Sequence, residues 1–212
     1  IEKCRIVEIR NCVFQSNKAF YDASGAFVKK AEKLIAKNSN FNDNWTIKRY
    51  GAATFYDSVE CVIYVNNKFI SGIARRGGAC YVVRSRLFTA MNCTFESNKA
   101  TSIGGACYIK ILHSVIAINC TFISNRAQTA SVLRLLGVNK TTLIFSVISK
   151  NYANEVGAIA IKDGKLVQIM HSVFENNKAN WLVGCVETFS ISKIMCKYSI
   201  FISNKGDKGG VM

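Results

Sequence analysis

The sequence predicts an all-β chain, a right-handed parallel β-helix of about eight coils over residues 1–212. Two recurring marks and a strand-like composition predict it. The first mark is Phe-x-x-Asn: Phe14 to Asn17, Phe41 to Asn44, Phe95 to Asn98, Phe122 to Asn125, Phe174 to Asn177 and Phe201 to Asn204. Phe69 to Gly72 and Ile148 to Asn151 fill the gaps, so first members follow at intervals of 26–28 residues. The second mark is a small residue 9–11 positions later, usually followed by alanine: Gly25, Gly51, Gly78, Gly105, Ser131, Gly157, Gly184 and Gly210. A fixed period of this length is the signature of a solenoid.

The residues between the marks select the kind of solenoid. Runs such as Ile116–Phe122 alternate and are rich in valine, isoleucine and aromatics, as strands are. Only Phe27–Lys37 could pass for a short helix. Proline is absent, which suits a chain dominated by β-ladders. Two or three short strands with tight turns in each period make one coil of a parallel β-helix, and parallel crossovers are right-handed almost without exception.

Each column has a physical role in such a coil. Equivalent residues stack about 4.8 Å apart, so the phenylalanines form an interior aromatic stack and the asparagines a ladder of amide hydrogen bonds. Glycine at Gly72 suggests that the ladder position also needs left-handed backbone angles. The glycine column marks a second tight corner, or a point where coils approach too closely for a side chain. Alternation places Cys12, Ser39, Asn67, Cys93, Cys120, Ser146, Ser172 and Ser199 inside, two residues before the phenylalanine column. Phe27, Ala53, Cys80, Cys107, Leu133, Ile159, Val186 and Met212 form another expected interior column.

Phe-x-x-Asn with Gly-Gly-Ala resembles the repeats of the polymorphic outer membrane protein family along nearly the whole chain. The clearest copies are Phe95-Glu96-Ser97-Asn98 with Gly104-Gly105-Ala106, and Phe69 onward with Gly77-Gly78-Ala79. Gly72, Ile148 and Ala130-Ser131-Val132 depart from the pattern. Similar repeats occur in bacterial autotransporters and in surface proteins of protists. The resemblance implies a right-handed β-helix, exposure at the cell surface or outside the cell, and an adhesive role.

Catalytic chemistry finds little support in the residues. Glycan hydrolysis needs two carboxylates about 5–9.5 Å apart on one groove. There are 13 acids, and they rarely align. Glu96 and Glu175 share a column three coils apart, while Asp57 and Glu60 fall in an expected solvated arc. His113 and His171 each precede a serine on an expected strand, without an acid partner. The nine cysteines include no Cys-x-x-Cys, so neither a metal nor a cofactor is expected. Cys93 with Cys120, and Cys80 with Cys107, stack in adjacent coils as small core residues, with one or two disulfides as an alternative.

The surface offers one pattern. The chain carries a net charge of +15. The position after the ladder asparagine reads Lys18, Trp45, Ile73, Lys99, Arg126, Tyr152, Lys178 and Lys205. Lys18, Lys99, Arg126, Lys178 and Lys205 make it a cationic strip, either a corner that lysine solubilises or a track for a linear polyanion such as a sulfated glycan. Anionic glycans or host surface proteins are therefore the expected partners, and nucleic acid is not. A carbohydrate-active β-helix and a passive spacer are the other readings. No stretch reaches the ~18 apolar residues of a membrane helix. Of the sequons at Asn44, Asn92, Asn119 and Asn139, Asn44 should be blocked by the ladder, whereas Asn92 and Asn119 should point outward and stack. No capping unit is legible at either end, so the expectation is one solenoid segment continuing into further coils.

Overall fold

The computed structural model describes residues 1–211, and among them every regular element is a strand. Three parallel sheets run the length of the molecule, with eight, eight and seven strands. Each strand pairs with its equivalents one period away, which is the connectivity of a β-solenoid.

The long sheet contains Ile6–Arg10, Ala26–Lys37, Thr54–Val65, Cys80–Met91, Cys107–Ile118, Leu133–Ile144, Ile159–Met170 and Val186–Lys197. These eight strands are separated by about seven full turns. Phe27–Lys37, the segment with a possible helical pattern, lies in one of them. The phenylalanine sheet has three-residue strands such as Thr94–Glu96 and Thr121–Ile123. The edge sheet has short strands such as Lys99–Ile103 and Arg126–Ala127.

The core is stacked column upon column. Ring centroids of Phe14 and Phe41 are 4.6 Å apart, and Phe41–Phe69, Phe69–Phe95, Phe95–Phe122 and Phe174–Phe201 are each 4.9 Å apart. Buried Ile148 interrupts the stack between Phe122 and Phe174. Burying one such side chain stabilises the fold by roughly 2 kcal/mol.

Four rows of left-handed backbone set the coil shape. One row is Ser16, Asp43, Ser71, Ser97, Ser124, Lys150, Asn176 and Ser203, each with φ between 52° and 56°. It lies one residue before the ladder. The ladder position itself, Gly72 included, is not left-handed, contrary to the sequence expectation. The chain reverses one residue early, and this leaves each asparagine free to aim both its backbone N–H and its side chain at the next coil. A second row precedes the interior serine/cysteine column: Asn11, Asn38, Asn66, Asn92, Asn119, Phe145, His171 and Tyr198. His171 is thus an exposed corner residue and not a strand residue. A third row, including Lys30, Ser58, Arg84, Ile111, Gly137 and Asp163, bends every long strand in the middle.

The fourth row corrects the glycine column. Ala23, Gly51, Gly77, Gly104 and Ala130 share positive φ. Gly51 therefore corresponds to Gly77, not to Gly78. The pairs Ala26↔Thr54, Cys80↔Thr54 and Cys80↔Cys107 fix the register. Gly25 consequently lies one residue beyond the expected column and Gly51 one residue before it. Phe27 pairs with Phe55 and leaves the interior column; Thr54 takes the place expected for Ala53, which stands one residue earlier but is buried in the main core. Loops of different length before the corner shift the first two coils. Phe27 instead joins Phe55, Tyr81 and Tyr108 in an aromatic cluster outside the main core. Met212, expected in the interior column, lies outside the described residues. At Gly78 an added Cβ would meet the Gly105 carbonyl oxygen, backbone against backbone, so here coils do approach too closely for a side chain.

Candidate functional site, a cationic edge on an amide ladder

The edge rests on the ladder beneath it. Asn98 donates from its backbone N–H and from Nδ2 to Oδ1 of Asn125, at 3.0 and 3.1 Å. Asn125 does the same to Asn151, Asn151 to Asn177, and Asn177 to Asn204. Each Nδ2 also donates to a carbonyl one coil back, as Asn125 does to Phe95 at 2.9 Å. Asn17 donates to Asn44 in this way, and the run stops at Gly72, which has no carboxamide. Gly72 N–H still donates to Asn98 Oδ1, at 2.9 Å.

A second ladder was missed in the sequence. The serine/cysteine column is interior, as expected, yet it also carries hydrogen bonds. Cys120 N–H donates to Ser146 Oγ, Ser146 N–H to Ser172 Oγ, and Ser172 N–H to Ser199 Oγ, each at 3.2 Å. Asn67 takes a serine's place by accepting from Ser39 N–H at 2.8 Å. The interchange of serine with asparagine in this column was the available signal.

Just past the asparagine ladder, the cation column is in register. Lys18 pairs with Trp45, Trp45 with Ile73, Ile73 with Lys99, Lys99 with Arg126, Arg126 with Tyr152, and Tyr152 with Lys178. An isolated bridge adds Lys205 after Lys178. All five cations are exposed. Lys18 Nζ lies 5.3 Å from the Trp45 ring centroid, while Arg126 and Lys178 flank the Tyr152 ring at 6.0 and 5.9 Å. These contacts hold the long side chains beside aromatic faces.

Two residues after Arg126, Tyr152 and Lys178, just past the ends of their strands, lies a polar row that the sequence reading overlooked. Asn154 Nδ2 donates to Gln128 Oε1 at 2.7 Å, and Asn180 Nδ2 donates to Tyr152 Oη at 2.7 Å. Gln128, Asn154 and Asn180 are spaced 26 residues apart, so the row was legible in principle. Lys99, Arg126, Gln128, Tyr152 and Asn154 line a shallow groove of about 330 Å³. Its lining offers amides, a phenol and positive charge.

The ion pairs among the described residues are Arg5–Glu32, Arg10–Glu8, Arg84–Asp57 and Arg86–Glu60. None involves an edge cation. Asp57, expected in a solvated arc, is buried beneath Arg84, while Glu60 is exposed. Glu96 and Glu175 share a row with Ile123 and Ser149 between them. His113 is an exposed strand residue. All nine cysteines are free thiols, and five of them are buried. Asn44 is fully buried, while Asn119 Nδ2 donates to Asn92 Oδ1 at 2.9 Å on the exposed corner.

Residues 92–110 match the model of the Chlamydia polymorphic membrane protein repeat. That stretch runs from the exposed Asn92 through Phe95, Asn98 and Gly104-Gly105-Ala106, the copy in which the sequence resemblance is clearest. A search of curated proteins finds no match.

Proposed function

We propose that this β-solenoid is a non-enzymatic, surface-displayed binding module whose cationic edge holds a linear acidic glycan, a sulfated one above all. The observation that carries the reading is the in-register row Lys99, Arg126, Tyr152, Lys178 and Lys205, its four cations exposed and free of acid partners among the described residues. Parallel stacking gives the row a pitch of about 4.8 Å, so a chain with regularly spaced sulfates or carboxylates meets one cation after another. The amide row and the Tyr152 hydroxyl add donors and acceptors for sugar hydroxyls. The likeness of residues 92–110 to a membrane protein repeat supports display outside the cell. Host surface proteins carrying such glycans are the partners the reading implies.

Carboxylate spacing favours binding without cleavage. Three coil steps separate Glu96 from Glu175, about 14 Å, beyond the ~9.5 Å limit for a glycosidase pair. The test is an array of neutral, carboxylated and sulfated glycans at low and physiological salt, with product analysis of every hit. Salt-sensitive retention of sulfated chains, uncleaved, is expected. Cleaved product would replace the reading with an enzyme, and a blank array would leave a spacer.

A further inference from the structure

The long sheet's outward face, beyond the bend row, carries a patch that glycan binding does not use. Val65, Met91, Ile118, Ile144 and Met170 succeed one another in register over five coils, half-buried and pointing away from the core. Ile116 flanks them on the same strand face. At ~4.8 Å per coil the row is about 20 Å long. Lys37 ends it at one side and Lys197 at the other. Lys33 and Lys193 stand four residues earlier on those two strands, and Lys140 interrupts their row.

One edge of the patch is aromatic. The next residues along three of the strands are Phe145, His171 and Tyr198, with ring centroids 5.0 Å apart. Phe145 and Tyr198 are 58% and 78% exposed, so this edge stands proud of the sheet.

We propose that this face docks on an anionic lipid bilayer. An aliphatic centre, an aromatic edge and a lysine rim together form the residue pattern of a surface that lies in the headgroup region. A second copy is disfavoured by charge. A two-fold face-to-face pairing with the two aliphatic rows aligned, which is the one that covers the whole row, brings Lys33 and Lys37 against their own equivalents or against Lys193 and Lys197. A protein partner is disfavoured by the centre, which holds none of the Trp, Tyr or Arg anchors that dominate protein interfaces. The inference stands apart from the glycan reading, because the cationic edge lies on a different sheet.

The experiment is co-sedimentation of the full chain with vesicles of phosphatidylcholine alone and of phosphatidylcholine with phosphatidylserine. Binding should need phosphatidylserine and weaken with salt. Ile118→Glu and Met91→Glu should each reduce it at least tenfold. Lys37→Glu with Lys197→Glu should reduce it by more than the roughly fivefold that loss of one lysine predicts. Thermal melts of these outward variants should match the parent. Lys99→Glu with Lys178→Glu, on the edge, should leave vesicle binding in place. Binding that survives Ile118→Glu but is lost in the edge variant would overturn the proposal and assign vesicles to the edge. A self-association abolished by Ile118→Glu, without vesicle binding, would overturn it in favour of a second copy.

Discussion

Asn125 Oδ1 accepts two hydrogen bonds from Asn98, one from the backbone and one from the side chain. One carboxamide thus satisfies two donors of the neighbouring coil while its own Nδ2 satisfies Phe95 C=O. Asn125→Ala leaves Asn98 N–H and Phe95 C=O without these partners and takes one of the two hydrogen bonds of Asn98 Nδ2, and unpaired buried polar groups cost about 1–3 kcal/mol each before relaxation. We predict a loss on the order of 3 kcal/mol in chemical denaturation. Asn17→Ala, at an exposed position whose Oδ1 accepts no hydrogen bond among the described residues, should cost less than about 1 kcal/mol. Equal losses would mean that the ladder is not cooperative with the core.

Restoring the repeat pattern at Gly72 should destabilise the protein. An added Cβ there would meet the Gly78 carbonyl oxygen, a backbone atom that cannot swing aside. Gly72→Asn and Gly72→Ala should both lower the melting temperature, by an amount corresponding to roughly 1–3 kcal/mol. A rise with Gly72→Asn alone would show that the corner yields and that the missing rung matters more.

Alkaline pH should unfold the molecule through its buried tyrosines. Burial pushes the Tyr56 and Tyr64 phenols well above the usual value, and raises Tyr81 to about 12. An unfolded tyrosine ionises near 10. A raised folded-state pKa means full stability below pH ~10 and loss as pH climbs toward the folded values, since the unfolded chain releases protons first. Tyr56 and Tyr64 should each cost about 1.4 kcal/mol per pH unit in that window. Melts from pH 9 to 12, with phenolate absorbance, check this. All eight tyrosines titrating together near 10 in the folded state would contradict it.

Native thiol labelling should separate the cysteines. Cys4, Cys12, Cys61 and Cys196 are accessible, whereas Cys80, Cys93, Cys107, Cys120 and Cys185 are buried. Burial also raises the Cys107 and Cys185 thiols, which suppresses the reactive thiolate. Four thiols should react before unfolding and nine after it.

The sequence revealed those parts of the fold that repeat in residue identity. The phenylalanine and asparagine columns, and the cation column one residue on, could be found because the same side chains recur. The left-handed rows could not be found in this way. At the bend row, Lys30, Ser58, Arg84, Ile111, Gly137 and Asp163 share a backbone angle and nothing else. The glycine column misled at Gly25 and Gly51 because adjacent positions in this corner both favour small residues, so identity alone does not set the register. Gln128, Asn154 and Asn180 were missed because amides abound throughout, and only their stacking singles them out.

The most direct test of the account is the salt dependence of binding to one defined sulfated oligosaccharide, measured by calorimetry for the parent and for Lys99→Glu/Arg126→Glu/Lys178→Glu. The account predicts affinity that falls steeply with salt in the parent and is lost in the variant, whose melting temperature stays within a few degrees because exposed charges contribute little to stability. Affinity that is unchanged in a folded variant would contradict the assignment of the cationic edge as the binding site.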